Sequence, residues 1–285
     1  MEIKRFILIT TVFILGIISI FFVFSIKNHK EFIAPKIGVT IYPLYDVVKE
    51  IVGDKYEVVL IVPPGAEPHN YELKIEDVKK LRGIKIVFAN GLGIDDWTEN
   101  LIKNFKDVKI IYLYQSVDLI DQDPHFWLSL ENMKKIAKIV EKEMENFDKK
   151  NREYYQENLD KVLEKIENLQ TEAKQTVFSN KFIITQHNAF NYLAKELNLN
   201  VAGYLEGENK ELTPADLSQL INKIKILNIK VIFKEPGEEN NLLKTIAQEY
   251  NLKIYELDSI EGKSGLNYFD AYRKNIETLK FIQNE

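Results

Sequence analysis

The chain of 285 residues contains no cysteine, so neither a disulfide nor a thiolate metal site can be built from it. It has no excess of positive charge either. Against 38 Lys and Arg stand 43 Asp and Glu, and a net charge of −5 with a pI near 5.6 leaves no electrostatic footprint for nucleic acid. Glycine and proline are sparse, at 12 and 8, and no low-complexity stretch or short repeat interrupts the chain, which excludes a linker-like or solenoid architecture. Histidine is scarce as well, with four in all, and their placement becomes the informative feature.

What the sequence does have begins with an apolar run. Phe6 to Ile26 carries no charge over 21 positions, with Lys4 and Arg5 before it and Lys27 and Lys30 after it. At about 1.5 Å per helical residue it would span roughly 30 Å, the thickness of a bilayer core. A cleaved signal peptide is the alternative, but its apolar region is usually shorter and ends at a small-residue site, and no A-x-A pattern follows here. Residues 1–34 are therefore expected to be a membrane anchor and tether that leaves the remainder outside the cytoplasm.

Beyond Pro35, short apolar runs alternate with helical patterns. Ile37 to Ile41, Tyr56 to Val62, Ile84 to Ala89 and Val108 to Leu113 read as buried strands, and Leu44, Val47, Val48 and Ile51 share one helix face that stops at Gly53. From Ser129 to about Val177 there is no Gly or Pro, and apolar residues recur at helical spacing, which predicts two helices broken near Asp148. Alternation then resumes with strands at Phe182 to Thr185, Asn200 to Leu205, Val231 to Lys234 and Leu252 to Leu257, and a last helix begins at about Tyr268. The predicted fold is α/β with two lobes, each a mostly parallel sheet flanked by helices, joined by a long rigid backbone helix. The expected divisions are an N-terminal lobe over 35–148, a connecting helix over 149–178 and a C-terminal lobe over 179–285.

Three histidines sit in separate polar segments: Pro68-His69-Asn70, Asp123-Pro124-His125 and Gln186-His187-Asn188. The fourth, His29, lies in the tether. Without thiolates, a transition-metal site must use imidazole nitrogen and carboxylate oxygen, and three such histidines plus one acid satisfy zinc. Ligands of doubly wound lobes bind outside the carboxyl ends of the strands, where His69 and His187 fall. The candidate fourth ligand is Asp258, which follows the strand Leu252 to Leu257; a turn cap before Ser259 and Gly262 is its alternative role. Glu67, Glu206, Glu208 and Glu235 compete, each more commonly a solvated surface acid.

Four ordered segments carry a resemblance: Val62-Pro63-Pro64-Gly65-Ala66-Glu67-Pro68-His69-Asn70-Tyr71-Glu72, Asn90-Gly91-Leu92-Gly93-Ile94-Asp95-Asp96-Trp97, Asp123-Pro124-His125-Phe126-Trp127-Leu128, and His187-Asn188-Ala189-Phe190-Asn191-Tyr192. Together they resemble the zinc- and manganese-type solute-binding proteins of metal ABC transporters, from about Ile37 to the C-terminus. The resemblance implies two lobes bridged by a rigid helix with the metal between them. It also implies His69, His125, His187 and Asp258 as ligands. The position of His187 is histidine in zinc-type members and often glutamate in manganese-type ones. The lipobox cysteine common in that family is absent, as is a histidine-rich loop after the first ligand.

The expected function is an extracytoplasmic receptor that captures Zn(II), or alternatively Mn(II), as transported ligand and delivers it to a cognate ABC permease, with no catalysis. A zinc hydrolase is the alternative, since three histidines with an open position make a catalytic-type site and Glu67 could act as base.

Overall fold

The computed structural model describes residues 35–100, 105, 107–176, 181–207 and 210–282. The expected anchor over Phe6 to Ile26 lies outside these residues. Among the described residues no helix is long and apolar enough to cross a membrane.

The first sheet is built from β1 (Lys36–Val39), β2 (Glu57–Leu60), β3 (Ile84–Ala89) and β4 (Lys109–Tyr112), in the order β2-β1-β3-β4 and parallel throughout. The two central strands, β1 and β3, are apolar runs buried along most of their length, as a parallel sheet covered on both faces requires. Helix α1 (Tyr42–Val52) covers one face. Leu44, Val47, Val48 and Ile51 are fully buried on its inner stripe, and Gly53, at φ 61°, ends it by returning its N–H to Lys49 O. A short helix, α2 (Ile75–Lys80), follows the His69 loop.

Two long helices come next. Helix α3 (Leu130–Phe147) is capped by Ser129, whose side chain accepts from Asn132 N, and helix α4 (Arg152–Lys174) runs for 23 residues. They part at Asp148, which leaves helical geometry at φ −134° and accepts hydrogen bonds from Tyr56 Oη at 2.9 Å, Tyr155 Oη at 3.0 Å and Asn151 Nδ2 at 2.6 Å. The expected break near Asp148 is thus where the structure has it.

The second sheet contains β5 (Phe182–His187), β6 (Asn200–Gly207), β7 (Lys210–Glu211), β8 (Val231–Lys234) and β9 (Lys253–Glu256), ordered β7-β6-β5-β8-β9. All pairs are parallel except β6 with β7, a two-residue antiparallel edge that the sequence pattern does not reveal. Helices α5 (Asn191–Glu196), α6 (Pro214–Ile226) and α7 (Asn241–Tyr250) flank it. The final helix, α8 (Tyr268–Ile282), crosses back. Tyr268 N donates to Asp46 Oδ2 in α1, and the Tyr268 and Tyr272 hydroxyls donate to the carbonyls of Trp127 and Leu128.

One apolar core therefore runs through the molecule. It joins Val47 of α1, Phe126 and Trp127, Ile136 of α3, Ile166 of α4, Phe190 and Tyr272. A smaller cluster around Leu220, Ile232 and Ile246 fills only the far side of the second sheet. The expected two-lobed α/β architecture with a long connecting helix is the one observed.

Candidate metal centre

Each histidine sits just past a strand's carboxyl end or at it. His69 follows β2 on a single 3-10 turn, Pro68–Asn70, whose start is fixed by the proline ring and by Glu67 Oε1 accepting from His69 N at 3.3 Å. His125 follows β4 after two residues in the left-handed region, Asp121 and Gln122. Its loop is held by Asn90 Nδ2 donating to Pro124 O at 3.1 Å, and Asn90 is itself fixed by the buried Asp95 carboxylate, which accepts from Asn90 N and Gly91 N. The Asn90-to-Asp95 segment thus supports the site without entering it. His187 is the last residue of β5, in register with Glu206 of β6.

The three imidazoles converge. One ring nitrogen from each lies within 4.8 Å of the others, and His69 Nε2 is 3.2 Å from His125 Nε2. Two zinc-bound nitrogens at 2.0–2.1 Å in tetrahedral geometry would be about 3.3 Å apart, so this spacing suits a shared cation. The orientation is set from behind. Asp123 Oδ1 accepts from both the backbone N–H and the ring Nδ1 of His125, at 2.9 and 2.8 Å, and Asp123 is anchored in turn by Asn191 Nδ2. His187 Nδ1 meets Glu235 Oε1 at 3.3 Å. Carboxylates on both Nδ1 atoms commit the Nε2 lone pairs to the centre, the arrangement metal-bound histidines use.

The acids are distributed differently from the expectation. Asp258 joins none of the groups able to share an ion; its Oδ1 accepts from Ile260 N at 2.7 Å, and its backbone is clamped by Asn275. Three residues on, Glu261 is 2% exposed, and neither carboxylate oxygen has a hydrogen-bond partner. Lys263 Nζ stands 3.9 Å from it. Glu261 groups with Glu67 and His69 on one side and with His187 and Glu235 on the other. Glu235, read as a solvated acid, is 1% exposed and ion-paired to Lys263 at 2.9 Å. Glu67 and Glu206 are exposed at the mouth of the cleft, and Glu208 lies outside the described residues.

Glycine places this turn. Gly262 has φ 89°, and a Cβ there would come within 2.9 Å of Pro64 Cβ and 3.0 Å of Tyr42. Without that side chain, the turn lies flat on the His69 loop and Glu261 O accepts from Gly65 N at 2.9 Å. Ser259 O accepts from Trp127 Nε1 at 2.8 Å. Nothing local in the sequence marks Glu261 as buried, because its surroundings come from Pro64, Tyr42 and Trp127, all more than a hundred residues away; its position between Ile260 and a glycine is the only hint.

The electrostatics divide by side of the cleft. Burial, then the neighbouring His125 and His187, lowers His69 to about 3, so it is a neutral donor. Burial opposes charge on His187 as well, but the hydrogen bond and charge of Glu235 outweigh it and raise the imidazole to about 9. Glu235 is held low, because His187 and Lys263 overcome its burial, while burial and the charge of Glu235 push Glu261 up.

Known proteins resemble this chain over most of its length. The family model described as zinc-uptake complex component A, periplasmic, matches residues 37–281. The manganese ABC transporter substrate-binding lipoprotein PsaA of Streptococcus anginosus is 33% identical over 261 residues, covering 82% of this chain and 84% of its own. The iron ABC transporter substrate-binding lipoprotein MtsA of Streptococcus pyogenes serotype M1 is 32% identical over 260 residues, with the same coverage. Among solved structures, the nickel complex of FpvC from Pseudomonas aeruginosa superposes with a TM-score of 0.78 at 28% identity, covering 88% of this chain and 97% of that one.

Proposed function

The chain belongs to the zinc-uptake component A family, the metal-binding substrate-binding proteins of ABC transporters, and on that premise we propose that it captures one Zn(II) ion between its lobes and delivers it to a cognate permease. The observation that carries the metal choice is the donor set. His69, His125 and His187 offer three nitrogens at zinc spacing, and a nitrogen-rich set favours zinc over manganese. The relatives' names include manganese, iron and nickel, so the preference for zinc rests on these residues and not on kinship.

The fourth donor is a carboxylate from the turn 258–261. Distance favours Glu261, which reaches both His69 and His187; Asp258, expected from the sequence, presents a second buried carboxylate oxygen, Oδ2, with no hydrogen-bond partner on the same turn. A filled fourth position leaves no place for an activated water, and the family is one of transport proteins, so the hydrolase alternative has no support. Because the relatives are named lipoproteins while this chain has no cysteine to carry a lipid, the apolar run Phe6 to Ile26 takes over attachment, on the extracytoplasmic side.

Competition titration of the full chain with Zn(II) and Mn(II) tests the metal. Zinc binding at one ion per chain and at least about 100-fold tighter than manganese is expected, the direction the affinity series gives a nitrogen site. Equal or tighter manganese binding would overturn the zinc reading and leave the family's metal-binding role intact.

A further inference from the structure

Beside the three-imidazole centre, Glu67, His69 and Glu261 form a second group of donors whose ligand atoms also lie within 4.8 Å of one another. This group shares His69 with the centre and differs from it in depth. Glu67 is exposed, His69 is half-buried, and His125 is fully buried at the floor. A cavity of about 150 Å³ opens over Glu67 and His69 of the outer group and His187 of the centre, with Glu206, Glu238 and Lys263 also in its lining.

Resting on the zinc-capture reading above, we propose that Glu67, His69 and Glu261 form an outer cation position that takes the divalent ion first and passes it inward to His125 and His187. The Glu261 carboxylate, nearly fully buried with no hydrogen bond to either oxygen and only Lys263 at 3.9 Å, is the sign that a cation is accommodated beside it. Glu67 spends one lone pair on His69 N and keeps its remaining acceptor capacity for an ion. Two carboxylates and one imidazole make an oxygen-rich set, which holds a zinc ion less tightly than three imidazoles do, so transfer runs downhill toward the floor. With His69 and Glu261 common to both positions, two divalent ions would repel each other at close range, and the positions fill in turn. His69 then pivots from one set to the other and never releases the ion during transfer.

The test measures rates. Stopped-flow transfer of Zn(II) between the full chain and a fluorescent zinc chelator gives association and dissociation rates for wild type and Glu67→Gln, a variant whose amide oxygen still accepts from His69 N. Association and dissociation should both slow about tenfold, because the outer position lies on the route in each direction. Glu239→Gln, which removes an equal charge at an exposed site paired to Lys244, should leave both rates unchanged and so separates coordination from general electrostatic steering. Unchanged rates in Glu67→Gln, or a faster dissociation with unchanged association, would overturn the proposal, the second outcome making Glu67 an ordinary ligand of the inner position. Co(II) supplies the independent arm: His125→Ala should retain weak binding with the faint visible absorption of an oxygen-rich site, and adding Glu67→Gln should abolish it. No Co(II) binding by His125→Ala would also overturn the outer position, whereas failure of the wild-type chain to bind either ion would instead overturn the zinc-capture reading.

Discussion

The two walls of the cleft bring unlike chemistry to one ion. The first lobe offers His69, a neutral ring, and His125, backed by a single acid, Asp123, which is itself tied down by Asn191. The second lobe offers His187 amid Glu235, Glu238 and Glu261, with Lys263 threaded among them. The carboxylates of that second wall outnumber its one lysine, so a cation is drawn toward it. The first lobe thus provides a pair of nitrogens, and the second provides the third nitrogen together with most of the acids.

The largest way to break this comparison is to remove a ring from the first wall. His125→Ala should weaken zinc binding by at least about 100-fold, since structural zinc sites distribute roughly 10–16 kcal/mol over four ligands. Chelator competition on the full chain measures it, with His29→Ala in the tether as control; equal losses in the two variants would remove the interlobe site. Next come the acids behind the rings. Asp123→Asn and Glu235→Gln should each cost about 10- to 100-fold, the usual effect of disturbing a ligand's outer partner. Replacing acids on the turn follows the same measurement: Glu261→Gln should weaken binding more than Asp258→Asn, and the reverse order would return the fourth-ligand role to Asp258.

A pH series sharpens the contrast between the walls. His187, raised to about 9, holds a proton that zinc must displace, so affinity should fall as pH drops below 9, approaching tenfold per unit. In Glu235→Gln that ring returns toward its ordinary value near 6.5, and the slope between pH 7 and 9 should flatten. Stability in the presence of chelator carries the opposite signs for the two lobes. The raised His187 stabilises the fold below 6.5 and ceases to as pH rises through about 9; the depressed His69 costs stability as pH falls from 6.5 toward about 3.

The smallest effect on binding is expected far from the cleft. Asp148→Asn disturbs a carboxylate whose bonds to Tyr56, Tyr155 and Asn151 hold it below the usual range against its burial. It should lower unfolding free energy by about 1–3 kcal/mol, visible as a lower Tm, without changing zinc affinity. A large change in affinity would show that the interhelix joint tunes the cleft.

Much of this architecture is legible in the sequence because most strands carry short apolar runs and the helices carry apolar stripes, patterns that survive without tertiary context. Strand β7 escapes because two residues have no periodicity. The histidines are legible as a set because cysteine is absent and each sits past a strand end or at it. The acids are not. Whether Glu235, Asp258 or Glu261 is buried depends on Lys263, Asn275, Pro64 and Trp127 arriving from elsewhere in the chain, and no local pattern reports that.

The return of α8 to the first lobe bears on the order in which the chain can fold. Tyr268, Tyr272 and Leu279 complete the core around α1, α3 and α4, so the lobe that begins the described chain waits for α8 to close it. Its contact with α1 spans more than two hundred positions, and those with Trp127 and Leu128 span more than one hundred, which makes closure slow and keeps apolar surface open until α8 is made. Truncation of the last two turns of α8 should therefore expose the first lobe and not only the second, and a chain carried through a translocation channel would close that lobe only after α8 had emerged.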